Sequence, residues 1–181
     1  MTASDNRQGS EAAGIDVAGG FTQSEQIEEL DAVVMVMQQH FGQDVAQADE
    51  EPWDAQVFES EVSPRSCNAE EYRYRVDFEI PQDADPQELF SEAADIAAEL
   101  GLEPNENNGD GSGEGEEMFF GAGSSQGRMF VITTQGSSPS GFYQTRCSDD
   151  QTIQETVSRF DAEFREERRE EHAPPSYLPG Q

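Results

Sequence analysis

The chain has 181 residues, 39 of them acidic and 10 basic, for a net charge of −29. Leu, Ile, Val and Phe supply 32 of the 181, a level at which high net charge ordinarily accompanies disorder, so a folded domain here needs support beyond its apolar content. A surface this negative excludes nucleic acid and anionic membrane as partners. The longest apolar run, residues 32–37, falls far short of the roughly 20 residues of a membrane helix.

Every base is arginine, and no lysine is present. That usage points to a GC-rich genome, and the excess of acid to a high-salt habitat. The arginines are scattered except for Arg165, Arg168 and Arg169, which alternate with glutamates and read as a solvated helix face.

Residues 1–21 are small, polar and Gly-rich and read as a flexible tether, with Met1 standing where a lipid-modified cysteine once stood. Thr22 and Glu25 then form a capping box, with Phe21 just outside it. Ile27, Leu30, Val33, Val34, Met37 and Phe41 recur at three- and four-residue steps before Gly42, which predicts a first helix with one buried face. After a polar loop, residues 53–62 read as a first, irregular strand. A clearer strand follows: Tyr72, Tyr74, Val76, Phe78 and Ile80 alternate with Arg73, Arg75, Asp77 and Glu79, giving one wet face.

Asp85, Pro86 and Glu88 mark a second helix, whose stripe is Leu89, Phe90, Ala93, Ile96, Ala97 and Leu100, stopped by Gly101 with Leu102 placed for a capping contact. Three short strands are predicted at residues 118–121, 128–134 and 141–147, joined by turns of hairpin composition. A last helix begins at Asp149 or Asp150, with Ile153, Val157, Phe160 and Phe164 on one stripe. Its continuation through residue 172 is charged, and a Pro-rich tail ends the chain.

The expected fold is thus α+β: a small antiparallel sheet of about five strands with helices on one face, in a split β-α-β style. The expected boundaries are a tether at 1–21, the domain at 22–165, and an exposed helix end with a disordered tail at 166–181.

Cys67 and Cys147 are the only cysteines, and each lies beside a predicted strand. With no CxxC spacing and no nearby histidine, the pair reads as one structural disulfide stapling the domain, and so places the protein outside the reducing cytosol. A closed loop of this length removes chain entropy worth about 4–5 kcal/mol.

Other motifs yield little chemistry. GAGSSQG at residues 121–127 has the composition of a phosphate loop, but a strand is expected after it instead of the helix whose amides would hold the anion. Residues 105–117 place Asn108, Asp110, Ser112 and Gly113 where calcium-loop ligands and the turn glycine belong, yet Phe119 occupies the bidentate glutamate's position. His40 and His172 have no visible second ligand for zinc, and no G-x-S-x-G elbow exists. PPSY at residues 174–177 fits a Pro-rich disordered end as well as a groove ligand. Trp53 reads as core or sheet-edge packing. No catalytic residue, cofactor site or metal site is expected.

A helix ending in MVMQQHFG, then EPW, Cys67, YRVDFEIP, an AADIAAELGL helix, FVITT and Cys147 resembles the LppA-like lipoproteins of mycobacteria and related actinobacteria over residues 27–147. The chain departs from them in lacking the lipidated cysteine and in its longer last helix. The resemblance implies export through a lipobox, removal of the signal peptide, and a lipid anchor on the outer face of the cell membrane. It carries over no functional residue except the cysteine pair.

The expected function is therefore a non-enzymatic, extracytoplasmic lipoprotein domain with a binding or envelope-associated role. Its partner would be an unidentified protein or envelope component, and it would meet the membrane only through the lost N-terminal lipid anchor. The alternatives are an acidic cytosolic protein of a high-salt organism and a hydrolase whose site has no recognisable signature.

Overall fold

Capping chemistry starts each major helix. Thr22 accepts the amide of Glu25, whose carboxylate in turn accepts the amide of Thr22, and α1 (Gln23–Phe41) follows with Ile27, Leu30, Val33, Val34 and Met37 buried. The computed structural model describes residues 15, 16, 18–46, 51–80, 85–104, 117–121, 127–134 and 139–172.

The stretch expected as the first strand is helical instead. Asp54 Oδ1 accepts the amides of Gln56 and Val57 and starts α2 (Ala55–Glu61). An N-cap followed by good helix formers outweighs a poorly alternating pattern, and Phe58 settles the turn by packing between Trp53 and Tyr74, with ring centroids 5.1 and 6.0 Å away. The clear strand at 72–80 is also divided. β1 (Arg65–Ser66) and β2 (Tyr72–Arg73) make a separate antiparallel ribbon, and β3 (Arg75–Glu79) belongs to the main sheet.

α3 (Pro86–Glu99) begins at the expected Asp85 cap, and the amide of Leu102 returns to the carbonyl of Ala97 at 2.7 Å to close its end. β4 (Glu103–Pro104), β5 (Glu117–Gly121), β6 (Met129–Thr133) and β7 (Ser140–Gln144) follow, then α4 (Gln151–Glu171) from an Asp150 cap. The main sheet is antiparallel between all neighbours, in the order β3-β7-β6-β5-β4. One sheet holding every strand, with residues 53–62 as its first member, is therefore corrected: the strands divide between two sheets, and the 53–62 stretch holds the helix Ala55–Glu61. The molecule is α+β with antiparallel sheets.

The sheet has two unlike faces. Val76, Phe78, Tyr143, Phe130 and Ile132 face α1 and α3 and share their core with Leu30, Val34, Met37, Leu89, Ala93 and Ile96. Fully burying each large side chain contributes roughly 1.5–3 kcal/mol. Gly141 lies in register between Phe78 and Ile132 on this face, where a Cβ would collide with the Val131 carbonyl and come within 2.7 Å of Ile132 Cδ1. The opposite face carries Arg75, Asp77, Phe142, Val131 and Thr133 by the period of two.

The last helix is only half packed. Ile153 and Thr156 are buried, Val157 and Phe160 are partly covered, and every residue from 161 to 172 is exposed. The stripe through Phe164 thus runs off the domain, leaving that ring 55 % exposed.

The N-terminal boundary carries contacts before residue 22. Ile15 packs against the core and donates its amide to the Leu100 carbonyl at 3.2 Å, and residues 18–21 lie over one end of the sheet. The acidic loop with Asn108, Asp110, Ser112 and Gly113, the PPSY motif, and most of both hairpin turns lie outside the described residues.

Candidate functional site: the disulfide end of the sheet

Cys67 follows β1 in the hairpin that leads to β2, and its amide is held by the Glu71 carbonyl at 2.8 Å. Cys147 lies three residues beyond β7. The two are joined in a disulfide with Cα atoms 6.1 Å apart. Tyr72 and Ser148 exchange both backbone hydrogen bonds at 2.9 Å, while Arg75 pairs with Gln144. Between these pairs two residues face three, so the strand bulges at Thr145–Arg146–Cys147. The bulge re-aims Arg146 and sets Cys147 opposite the ribbon. The disulfide ties ribbon to sheet where backbone pairing is weakest.

Beneath the bulge lies a buried ionic network. Glu29 on α1 accepts from Arg128 Nε at 2.7 Å and from Arg128 Nη2 at 2.8 Å, and the Tyr143 hydroxyl donates to the same carboxylate. Burial, then the Glu29 charge, pushes the Tyr143 phenol well above its ordinary value. Burial alone would lower the pKa of Arg128, but its hydrogen bond with Glu29 and that residue's charge outweigh the loss and raise it. Beside them, Gln26 donates to the carbonyls of Gly20 at 2.9 Å and Arg146 at 3.1 Å, and accepts from the Thr145 hydroxyl at 2.6 Å.

The segment before α1 closes over this network. The Gly19 carbonyl accepts from Arg146 at 3.1 Å and Arg128 at 3.4 Å, and Ser148 donates to the Phe21 carbonyl at 2.6 Å. Gly20 has φ +83°, and a Cβ there would stand 2.8 Å from Arg128 Nη2, so this crossing requires glycine. Phe21 covers the Arg146 guanidinium at 3.7 Å. The network is a clamp between α1, the sheet and this segment. Its carboxylate is nearly enclosed and accepts three hydrogen bonds, two from Arg128 and one from Tyr143.

On the face opposite the core, the ribbon and β3 bring together three arginines from residues 65–75. Arg65 and Arg73 are cross-strand partners in the ribbon, and Arg75 is two residues further along the same face. Asp77 accepts from Arg75 Nε at 2.9 Å and Nη2 at 2.6 Å and lies 3.8 Å from Arg65. Arg75 also stacks on Phe142 at 3.7 Å. Arg73 has no carboxylate in ion-pair reach among the described residues; its Nη1 is 3.5 Å from the Gly127 carbonyl and 3.9 Å from Cys147 Sγ. Partial burial, followed by the charges of Arg75 and Arg65, lowers its pKa. It borders an open cavity of about 470 Å³ lined also by Cys67, Asn68, Glu71, Gly127, Cys147 and a second arginine, Arg146.

The remaining sequence motifs fall elsewhere. His40, in the last turn of α1, bonds the carboxylates of Glu92 and, at 3.2 Å, Glu99 on α3. Among the described residues no group of three or more His, Cys, Asp or Glu side chains has metal-holding geometry. Trp53 donates to Asp31 at 2.8 Å and packs on Phe58. Arg128 leads into strand β6, so GAGSSQG has no helix behind it. Gln26 and Glu29 were missed by the sequence reading, although Gln26, Glu29, Val33 and Val36 follow one another at three- and four-residue steps. A polar pair continuing an apolar stripe was the legible signal.

No protein-family model, curated protein or solved structure matches the chain. The resemblance to LppA-like lipoproteins therefore rests on its residues alone. No helix among the described residues is long and apolar enough to cross a membrane.

Proposed function

We propose that this protein is an extracytoplasmic, non-catalytic binding domain, associated with the cell envelope and carried on an N-terminal lipid anchor at the outer face of the membrane. The observation that carries the reading is the Cys67–Cys147 disulfide, because such bridges persist in oxidising compartments. The enclosure of Glu29, the one fully buried ionic centre described, supports a structural role for that network. In this reading the β3-α3-β4 step is a split β-α-β unit with the hairpin strands inserted between its two arms.

The test is fractionation of the native cells followed by non-reducing peptide mapping. A Cys67–Cys147 peptide from protein in the envelope fraction is the expected result. Two free thiols in soluble cytosolic protein would overturn the reading and put the acidic cytosolic alternative in its place.

A further inference from the structure

We propose that Arg73, with its cross-strand partner Arg65, binds an oxyanion beside the disulfide: a carboxylate or phosphate group carried by this domain's ligand. The inference rests on the binding role proposed above and gives that ligand its chemistry.

The contrast among the arginines carries the argument. Arg128 is neutralised by Glu29, and Arg146 is covered by Phe21 and bonded to the Gly19 carbonyl. Arg75 is satisfied by Asp77 and Phe142. Arg73 alone among these is partly buried with neither a carboxylate nor a ring against it. A half-buried guanidinium with no carboxylate against it among the described residues, beside two further cations, is costly to the fold. An anion offsets that cost.

The geometry fits such a ligand. Asp77 pairs with Arg75 and lies within reach of Arg65, while Arg73 stands outside its reach and keeps its charge. Glu71 borders the same cavity but is turned toward the Asn68 amide. Guanidinium forks take carboxylate or phosphate oxygens in pairs, and the open cavity admits the group beside Arg73. Arg65, with a side chain 59 % exposed, is free to swing onto it. The net charge of −29 opposes long-range approach, so recognition is short-range and depends on these arginines.

Arginine Nε–Hε resonances of the full, oxidised chain would be followed by NMR during titration with inorganic phosphate and, separately, with citrate, against sodium chloride at matched ionic strength. The expected result is a saturable shift at Arg73 and Arg65, with the tighter probe identifying the class of oxyanion. Arg73→Gln should weaken binding about tenfold or more. Arg65→Gln, at an exposed side chain, should weaken it with the fold intact, and Arg159→Gln on α4 should leave it unchanged. Shifts that never saturate, or that sodium chloride reproduces, overturn the site, as does unaltered affinity in both Arg73→Gln and Arg65→Gln. An envelope-located, disulfide-bonded protein that binds neither probe sinks the anion site alone. Binding by a cytosolic protein with free thiols sinks the location alone.

Discussion

At Glu29 the sign of a buried charge depends entirely on its company. Removing one partner of a buried ion pair leaves the other uncompensated and costs about 3–5 kcal/mol. Glu29→Ala should therefore destabilise the domain by about that much, a large part of a typical 5–15 kcal/mol margin. Replacing Glu29 and Arg128 together by apolar residues should cost less than Glu29→Ala alone. Urea denaturation midpoints check both, and a loss under about 1 kcal/mol for Glu29→Ala would remove the clamp from the account. At this scale the cysteines were legible, because two thiols in a chain leave one pairing. Glu29, Arg128 and Tyr143 were not, because their meeting depends on how the sheet is laid under α1.

Between elements, His40 is the group that responds to pH. It joins the end of α1 to α3 through Glu92 and Glu99. Burial lowers its pKa, but the hydrogen bonds and charges of the two carboxylates outweigh this and raise it above 6.5. A folded-state pKa above the unfolded value means the protonated imidazole stabilises the fold. That contribution is fully present below about pH 6.5 and is lost as pH rises through the folded value. The wild-type denaturation midpoint should thus fall toward that of His40→Gln as the pH is raised above about 6.5. A difference between the two proteins that stays constant over this range counts against the bridge. The helices themselves were well marked in sequence by Thr22, Asp85 and Asp150, whose caps act over a few neighbouring residues. The α2 segment was misread because its apolar residues follow neither period, and only the packing of Phe58 on Trp53 and Tyr74 decides its shape.

For the whole molecule, charge and cross-link act against each other. A net charge of −29 favours expansion, while a disulfide spanning 80 residues raises the free energy of the expanded chain by about 4–5 kcal/mol. Reduction should lower the unfolding free energy by up to that amount. The loss should be most visible at low ionic strength, where self-repulsion is least screened, and added sodium chloride should restore part of it. Calorimetry of oxidised and reduced protein across a salt series checks this. Equal melting temperatures at low salt would show that the fold stands without the bridge.

The sequence by itself determined the α+β class, the capped starts of α1, α3 and α4, the inward alternation of β3, and the cysteine pair. Each of these rests on interactions between residues close in the chain or on a count that leaves one solution. Tertiary structure alone decided that the strands form two sheets, that Ala55–Glu61 is helical, and that residues 15 and 18–21 seal an ionic clamp. It also decided that Arg65 joins Arg73 and Arg75, whose shared face the alternation already gave. Those outcomes depend on register and on a bulge between β2 and β7, where one extra residue changes which side chains meet.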